Sequence, residues 1–288
     1  MSVMGLPFWL VDAFANGPFT GNPAGVVILD ELLPDEVLQK IAMEVNQAET
    51  AFLLEVENGW SLRWFTPTVE VNLCGHATLA AAWILHQKTG GWEFEFTTRS
   101  GILSCRITDG SLRLDFPAWP VVPQRIPGIE MAIFPKGVPE VCSQNGGPGA
   151  ILGTYVAGDD WMVEMGSEDL VRGLDPDMKA VASLGRRGLV VTAVSEKQGI
   201  DFVSRFFGPQ SGVPEDPVTG SAHCALGPFW GNKLVKAKLR GFQASRRGGE
   251  VGVILNNDRV YLEGQALITI QGQLSFDMGS WLSTKFVL

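Results

Sequence analysis

Residues 203–230 read V-S-R-F-F-G-P-Q-S-G-V-P-E-D-P-V-T-G-S-A-H-C-A-L-G-P-F-W. The spacing predicts a strand ending at Pro209, a polar Gly/Pro-rich loop, and an apolar helix from near Ser221 to about Trp230. Strand, loop and helix start together present backbone N–H groups to an anion. The chain carries this arrangement twice. Residues 62–85 read L-R-W-F-T-P-T-V-E-V-N-L-C-G-H-A-T-L-A-A-A-W-I-L. Arg63-x-Phe65-x-Pro67 recurs as Arg205-x-Phe207-x-Pro209, 142 residues on, and Gly75-His76-Ala77 as Gly220-Ser221-Ala222, 145 residues on.

Further matches fall in the same order. Pro34-Asp35 recurs as Pro176-Asp177, Thr50-Ala51 as Thr192-Ala193, and the turn and strand from Asp109 resemble those from Asn257. The offset stays near half of the 288 residues, which reads as a duplicated chain of two similar halves. The expected fold is α+β, with each half a mixed, barrel-like β layer around one apolar helix. The proline run Pro117, Pro120, Pro123 and Pro127 is the best linker. It sets expected domains at 1–118 and 119–277, with the site in the cleft between them.

Composition narrows the function. An apolar fraction of 45% with 18% charged residues fits a globular protein, and a net charge of −9 argues against a nucleic-acid partner. There is no run of 18 apolar residues to span a membrane, and the first residues lack the charged start of a secretory signal. Cys74, Cys105, Cys142 and Cys224 are too scattered for a disulfide framework, so a cytoplasmic location is expected.

Along the chain, F-W-L-V-D-A-F at 8–14 predicts a first strand. Gly21-Asn22-Pro23-Ala24 is either a tight connection or a loop lining a site. Pro34 opens a helix whose apolar stripe is Val37, Ile41, Ala42 and Val45. Glu49 stands at the mouth of the next strand, and at an offset of 142 its counterpart is Val191. A carboxylate in one half and a valine in the other is the asymmetry of a site with one base, or simply a solvated glutamate. The helix from Ala77 to about Lys88 is apolar nearly all round and is expected to be buried. Two of the three histidines, His76 and His223, lie at the paired helix starts. Arg246 and Arg247 are expected to be solvated or structural.

Glu49, His76, Asp216 and Ser221, with Gly75 and Gly220 at the helix starts, make a proton-transfer kit facing an anionic small molecule. Cys74-x-His76 and His223-Cys224 lack the spacing of a tetrahedral zinc site, and no phosphate-binding glycine loop or nucleophile elbow occurs. Neither a metal nor an organic cofactor is expected.

The string E-D-P-V-T-G-S-A-H at 215–223, with C-G-H-A-T-L-A at 74–80, G-N-P-A at 21–24 and E-T-A-F at 49–52, resembles the phenazine-biosynthesis-F-like family, close to its vertebrate members. The resemblance covers essentially the whole chain. It implies the diaminopimelate epimerase fold, a homodimer, and return of the C-terminal strand (278–288) to the first domain. The best-understood member shifts a proton on a dihydro-hydroxyanthranilate without metal or organic cofactor. By motif, Glu49 corresponds to its proton-shuttling base, while His76, Asp216 and Ser221 correspond to residues that bind substrate and assist. Cys74 and Thr219 occupy the positions of the two catalytic thiols in racemases of this fold. One thiol is kept and the other is absent, which disfavours a symmetric two-thiol racemase. The expected activity is therefore a cofactor-independent isomerisation of a small carboxylated substrate. A one-thiol epimerase or dehydratase using Cys74, or a non-catalytic interaction protein keeping the fold, are the alternatives.

Overall fold

A computed structural model describes residues 3–57, 59–138 and 149–277. The first part of the chain forms β1 (Val3–Ala13), β2 (Asn22–Leu29), α1 (Asp35–Val45), β3 (Glu49–Val56), β4 (Gly59–Phe65), β5 (Glu70–Val71), α2 (Gly75–Thr89), β6 (Glu93–Thr98) and β7 (Gly101–Thr108). Next come β8 (Ser111–Pro117), β9 (Val121–Pro123), α3 (Ile129–Ile133), β10 (Ile151–Ala157), β11 (Asp160–Met165), α4 (Glu168–Arg172), α5 (Met178–Ser183), β12 (Leu189–Val194) and β13 (Phe202–Gly208). The last elements are β14 (Val213–Asp216), α6 (Gly220–Leu234), β15 (Lys238–Gln243), β16 (Gly249–Asn256), β17 (Arg259–Gly264) and β18 (Ala266–Asp277).

The chain divides into two compact units. The first holds the residues up to Ala13, Pro23–Arg106 and those from Ala266 on; the second holds Phe14–Asn22 and Ile107–Gln265. This division differs from 1–118 and 119–277 for reasons of strand pairing. β7 pairs with β6, whereas β8 pairs with β17, so the crossing falls near the Asp109-Gly110 turn and not in the proline run. That run lies inside the second unit, where β9 pairs with β10. At the other end, β18 pairs antiparallel with β1 from Val3↔Asp277 to Ala13↔Ala266, which brings residues 266–277 into the first unit. The expected returning strand at 278–288 lies outside the described residues.

Both units repeat one order of pairings. In the first, β2 and β3 run parallel, β3 and β4 antiparallel, β4 and β5 antiparallel, and β4 and β6 parallel. In the second, β11–β12, β12–β13, β13–β14 and β13–β15 follow the same sequence of directions. An ion pair recurs with them. Arg63 grips Glu70 through Nε at 2.8 Å and Nη2 at 2.7 Å, and Arg205 grips Glu215 through Nε at 2.6 Å and Nη2 at 3.0 Å. Such two-pronged pairs fix the strand against the loop that leads to each central helix.

The register corrects one detail of the sequence repeat. β4 pairs Phe65 with Thr50, while β13 pairs Phe207 with Leu189. Thr50 therefore corresponds to Leu189, and Glu49 to Gly188 and not Val191. Letter identity at Thr192-Ala193 is misleading because the hairpin from Leu189 to Phe207 is three residues longer (18 against 15) than the one from Thr50 to Phe65. Gly188 has no room for a side chain: a Cβ there would meet Phe206 Cζ at 2.4 Å and the Phe207 carbonyl oxygen at 2.9 Å. The counterpart of the carboxylate is thus an enforced blank.

α2 and α6 are the buried axes of their units. From His76 to Leu85 every residue of α2 but Trp83 is buried. Leu79, Ile84 and Leu85 are all but fully enclosed, each worth about 1.5–3 kcal/mol on the transfer scale. α6 runs past its expected end at Trp230 to Leu234. Gly227 and Gly231 are points of close approach. A Cβ would lie 2.6 Å from Val253 Cγ1 at the first and 2.3 Å from Leu255 Cδ1 at the second. α1 lays Val37, Leu38, Ile41 and Ala42 against Leu6, Val27, Phe52 and Phe65. The second unit has its own core, in which Val163, Val191, Val203 and Phe207 pack with residues of α3 to α5.

Candidate active site

The first unit gathers three chemically active side chains where β3 begins and α2 begins. Glu49 is the first residue of β3. Cys74 is the extended N-cap of α2, with Gly75 and His76 opening the helix. His76 Nε2 lies 3.3 Å from Glu49 Oε2, and its Nδ1 lies 3.5 Å from Cys74 Sγ. Thr78 Oγ1 donates to the Cys74 carbonyl at 2.6 Å and fixes the turn. Burial pushes the His76 pKa down to about 3, so the ring is neutral at ordinary pH. The contact with Glu49 therefore brings a neutral imidazole to a carboxylate, and the tautomer protonated at Nε2 suits it. In that tautomer the Nδ1 lone pair faces the Cys74 thiol.

Neither central helix has a side-chain cap or an acid in its first turn. The shorter helices behave differently: α4 is capped by Ser167 and α5 by Asp177. Uncapped first-turn N–H groups with the positive end of the helix dipole suit an anion.

The second unit arranges its candidate residues as a held network. Asp216 Oδ1 accepts from Asn22 Nδ2 at 2.8 Å, and its Oδ2 accepts from Thr219 Oγ1 at 2.5 Å. Asn22 Nδ2 also reaches the Val218 carbonyl at 2.9 Å. Asn22 is completely buried and holds the 216–218 segment in place. Gln243 bonds Thr219 N–H, the Asp216 carbonyl and Thr219 Oγ1. Burial pushes the Asp216 pKa up to about 6 against the opposing pull of Thr219, Asn22 and Arg187.

Ser221 is tied to an arginine that the sequence did not single out. Arg187 Nη2 donates to Ser221 Oγ at 2.9 Å, while its Nε and Nη2 hold Asp160 at 2.9 and 2.5 Å. Asp160 is 1% exposed, and the guanidinium lies over the rings of Phe206 and Trp119. Arg187 thus supplies fixed positive charge beside Ser221 and within electrostatic reach of Asp216. Its only sequence signal was the Arg186-Arg187-Gly188 step before a strand.

His223 and Cys224 take packing roles. His223 Nδ1 donates to the Thr219 carbonyl at 2.8 Å, and burial pushes the Cys224 thiol up to about 12. Arg247 is structural, donating to the carbonyls of Gly21 and Thr20. No described helix is long and apolar enough to cross a membrane.

Comparison with known proteins bears on this geometry. A family model described as phenazine biosynthesis-like protein matches residues 11–272. A protein of Pseudomonas aeruginosa named an uncharacterized isomerase is 45% identical over 274 residues, covering 94% of this chain and 99% of its own. The crystal structure of a PhzF-family phenazine biosynthesis protein from Enterococcus faecalis overlays with a TM-score of 0.82 at 38% identity, covering 94% of this chain and 99% of that one. A hydroxyproline epimerase from Agrobacterium vitis, at TM-score 0.58 and 11% identity, shares the fold over 95% of this chain and 93% of its own. The architecture is the diaminopimelate epimerase-like one.

Proposed function

We propose that this chain, which belongs to the phenazine biosynthesis-like protein family and is an isomerase, moves a proton between two positions of a small carboxylated substrate with Glu49 as its general base. The observation that carries this reading is the Glu49–His76 contact at 3.3 Å beside the uncapped start of α2. Glu49 keeps a fifth of its side chain exposed, enough to meet a substrate C–H. The neutral His76 holds the carboxylate in one orientation without neutralising it. The substrate carboxylate is held by helix-start N–H groups, with Ser221 and Asp216 assisting. Glu49 takes the proton from a carbon activated by conjugation or by the adjacent carboxylate, then returns it to a different carbon of the same molecule. A base so placed contributes ~10²–10⁴-fold to rate, and the step needs no organic cofactor.

The test is deuterium wash-in. The purified chain is incubated in deuterated water with a panel of small cyclic and amino-acid-like carboxylic acids and followed by NMR. At least one acid is expected to gain deuterium at carbon, and Glu49→Gln is expected to abolish the gain. Undiminished exchange in Glu49→Gln would remove Glu49 from the mechanism.

Cys74 supports a second reading. A thiol 3.5 Å from a neutral imidazole nitrogen has the geometry of an activated thiol, and a one-thiol epimerase or dehydratase would use Cys74 as base. Cys74→Ala separates the two. A rate within a few-fold of wild type keeps Glu49 as the base, and a loss of several orders of magnitude in a folded variant transfers the role.

A further inference from the structure

We propose that Glu49, Cys74 and His76 form a site for a thiophilic divalent cation, with Zn²⁺ the best fit, and that its occupancy switches the isomerase off. One ligand atom from each residue lies within 4.8 Å of the other two. Zn–N and Zn–O bonds of about 2.0–2.1 Å at a tetrahedral angle put those two donors about 3.3 Å apart. His76 Nε2 and Glu49 Oε2 are already 3.3 Å apart. Cys74 Sγ stands 4.0 Å from the same nitrogen. A Zn–S bond of about 2.3 Å asks for roughly 3.6 Å at the ideal angle, or 4.0 Å at an opened one. Sγ now lies nearer Nδ1, at 3.5 Å, so binding swings the Cys74 side chain from Nδ1 toward the metal on Nε2.

The donor set also selects the ion. A thiolate and an imidazole favour zinc over magnesium or calcium, and three protein ligands leave a fourth position for water or a substrate oxygen. Cys74 sits at the positive end of α2, where a thiolate is stabilised. Cys74-x-His76 alone cannot make such a site; β3 supplies the third donor from 25 residues upstream. On binding, an S–Zn bond replaces the Cys74 S–H, whose proton leaves to solvent, an N–Zn bond replaces the His76 Nε2–H as the ring takes the tautomer protonated at Nδ1, and no group changes oxidation state. The switch, unlike the binding, rests on the reading of Glu49 as base, because the metal would occupy its lone pair.

The full chain, freed of metal by a chelator and desalted, is titrated with Co²⁺ as a spectroscopic stand-in. One equivalent is expected to give a thiolate-to-metal charge-transfer band with tetrahedral visible bands, and Zn²⁺ should displace it. Zn²⁺ alone should raise the melting temperature in a concentration-dependent way. Cys74→Ser should lose the charge-transfer band, and Glu49→Gln should weaken Co²⁺ binding at least tenfold. Cys105→Ala and Cys224→Ala should retain the band. Wild-type protein without the band, or Cys74→Ser with it, would overturn the site. Zn²⁺ should also stop deuterium wash-in, and chelation should restore it. A full band with undiminished exchange would overturn the switch and the Glu49 mechanism together while leaving the metal site standing.

Discussion

The start of α2 and the start of α6 are the same piece of architecture put to different uses. Each is an uncapped, 15-residue buried helix entered from a loop pinned by an arginine–glutamate fork. At α2 the ionisable groups are a carboxylate, a neutral imidazole and a thiol within 4.8 Å. At α6 the groups are committed. Both Asp216 oxygens accept hydrogen bonds, and Arg187 is held by Asp160 while it holds Ser221. A group already saturated by neighbours orients well and transfers protons poorly. Catalysis should therefore divide unevenly, with chemistry at the first helix start and binding at the second.

The largest expected effect follows directly. Glu49→Gln should lower kcat at least about a hundredfold, while Ser221→Ala should raise KM and leave kcat within a few-fold. Equal kcat losses in single-turnover and steady-state measurements of the two variants would erase the division.

The forks should differ in worth. Arg205 is 12% exposed and also donates to the Leu174 carbonyl at 2.7 Å and the Val171 carbonyl at 3.3 Å, tying down the end of α4. Arg63 also donates through Nη1 to Asp35, a largely exposed partner. Arg205→Lys should cost about 2 kcal/mol and Arg63→Lys about 1 kcal/mol in urea unfolding. The reverse order would show that the second fork is not the structural one.

Arg187→Met should raise KM about tenfold (~1.4 kcal/mol) with kcat little changed. A matching loss in kcat, with KM unmoved, would bring Arg187 into the chemistry.

The smallest effect is a pH dependence. Burial raises the folded-state pKa of Asp216 to about 6, above the ordinary carboxylate value. The neutral acid is thus favoured by folding, a contribution fully present below about pH 4 and lost as pH rises through about 6. Asp216→Asn cannot ionise, so its stability relative to wild type should be higher at pH 8 than at pH 5. A difference that stays constant between those pH values would mean that Asp216 titrates normally. His76 should show no titration in the same range, since burial keeps it neutral down to about pH 3; imidazole NMR shifts check this.

Much of the fold was legible because its signals are local. α2 and α6 announce themselves as apolar all round, and α1 has Pro34 before it and a clean stripe. What stayed hidden depends on pairing or brevity. α3 and α4 are five residues each, too short to show a period, and β5 has two residues. The last turn of α6, beyond Trp230, is reached through Gly231, whose place depends on the closeness of β16. Glu49 stood out for lacking a counterpart, yet through the wrong partner: Val191 faces Arg205 on the ladder, and the true counterpart is Gly188. Arg187 was invisible because its meaning lies in Asp160 and Ser221, 27 and 34 residues away.

The ladder between β1 and β18 bears on how the molecule is made. β1 leaves the ribosome well before Ala266–Asp277, the strand that pairs along its whole length and starts 253 residues (266 − 13) after β1 ends. At about 5–20 residues per second, that wait is roughly 10–50 seconds. Throughout it, β1 presents an open hydrogen-bonding edge, a template for pairing with the wrong chain. The second unit closes at Gln265, one residue before that strand begins. Synthesis therefore completes the second unit first, and the unit that holds Glu49 becomes whole only once β18 has been made.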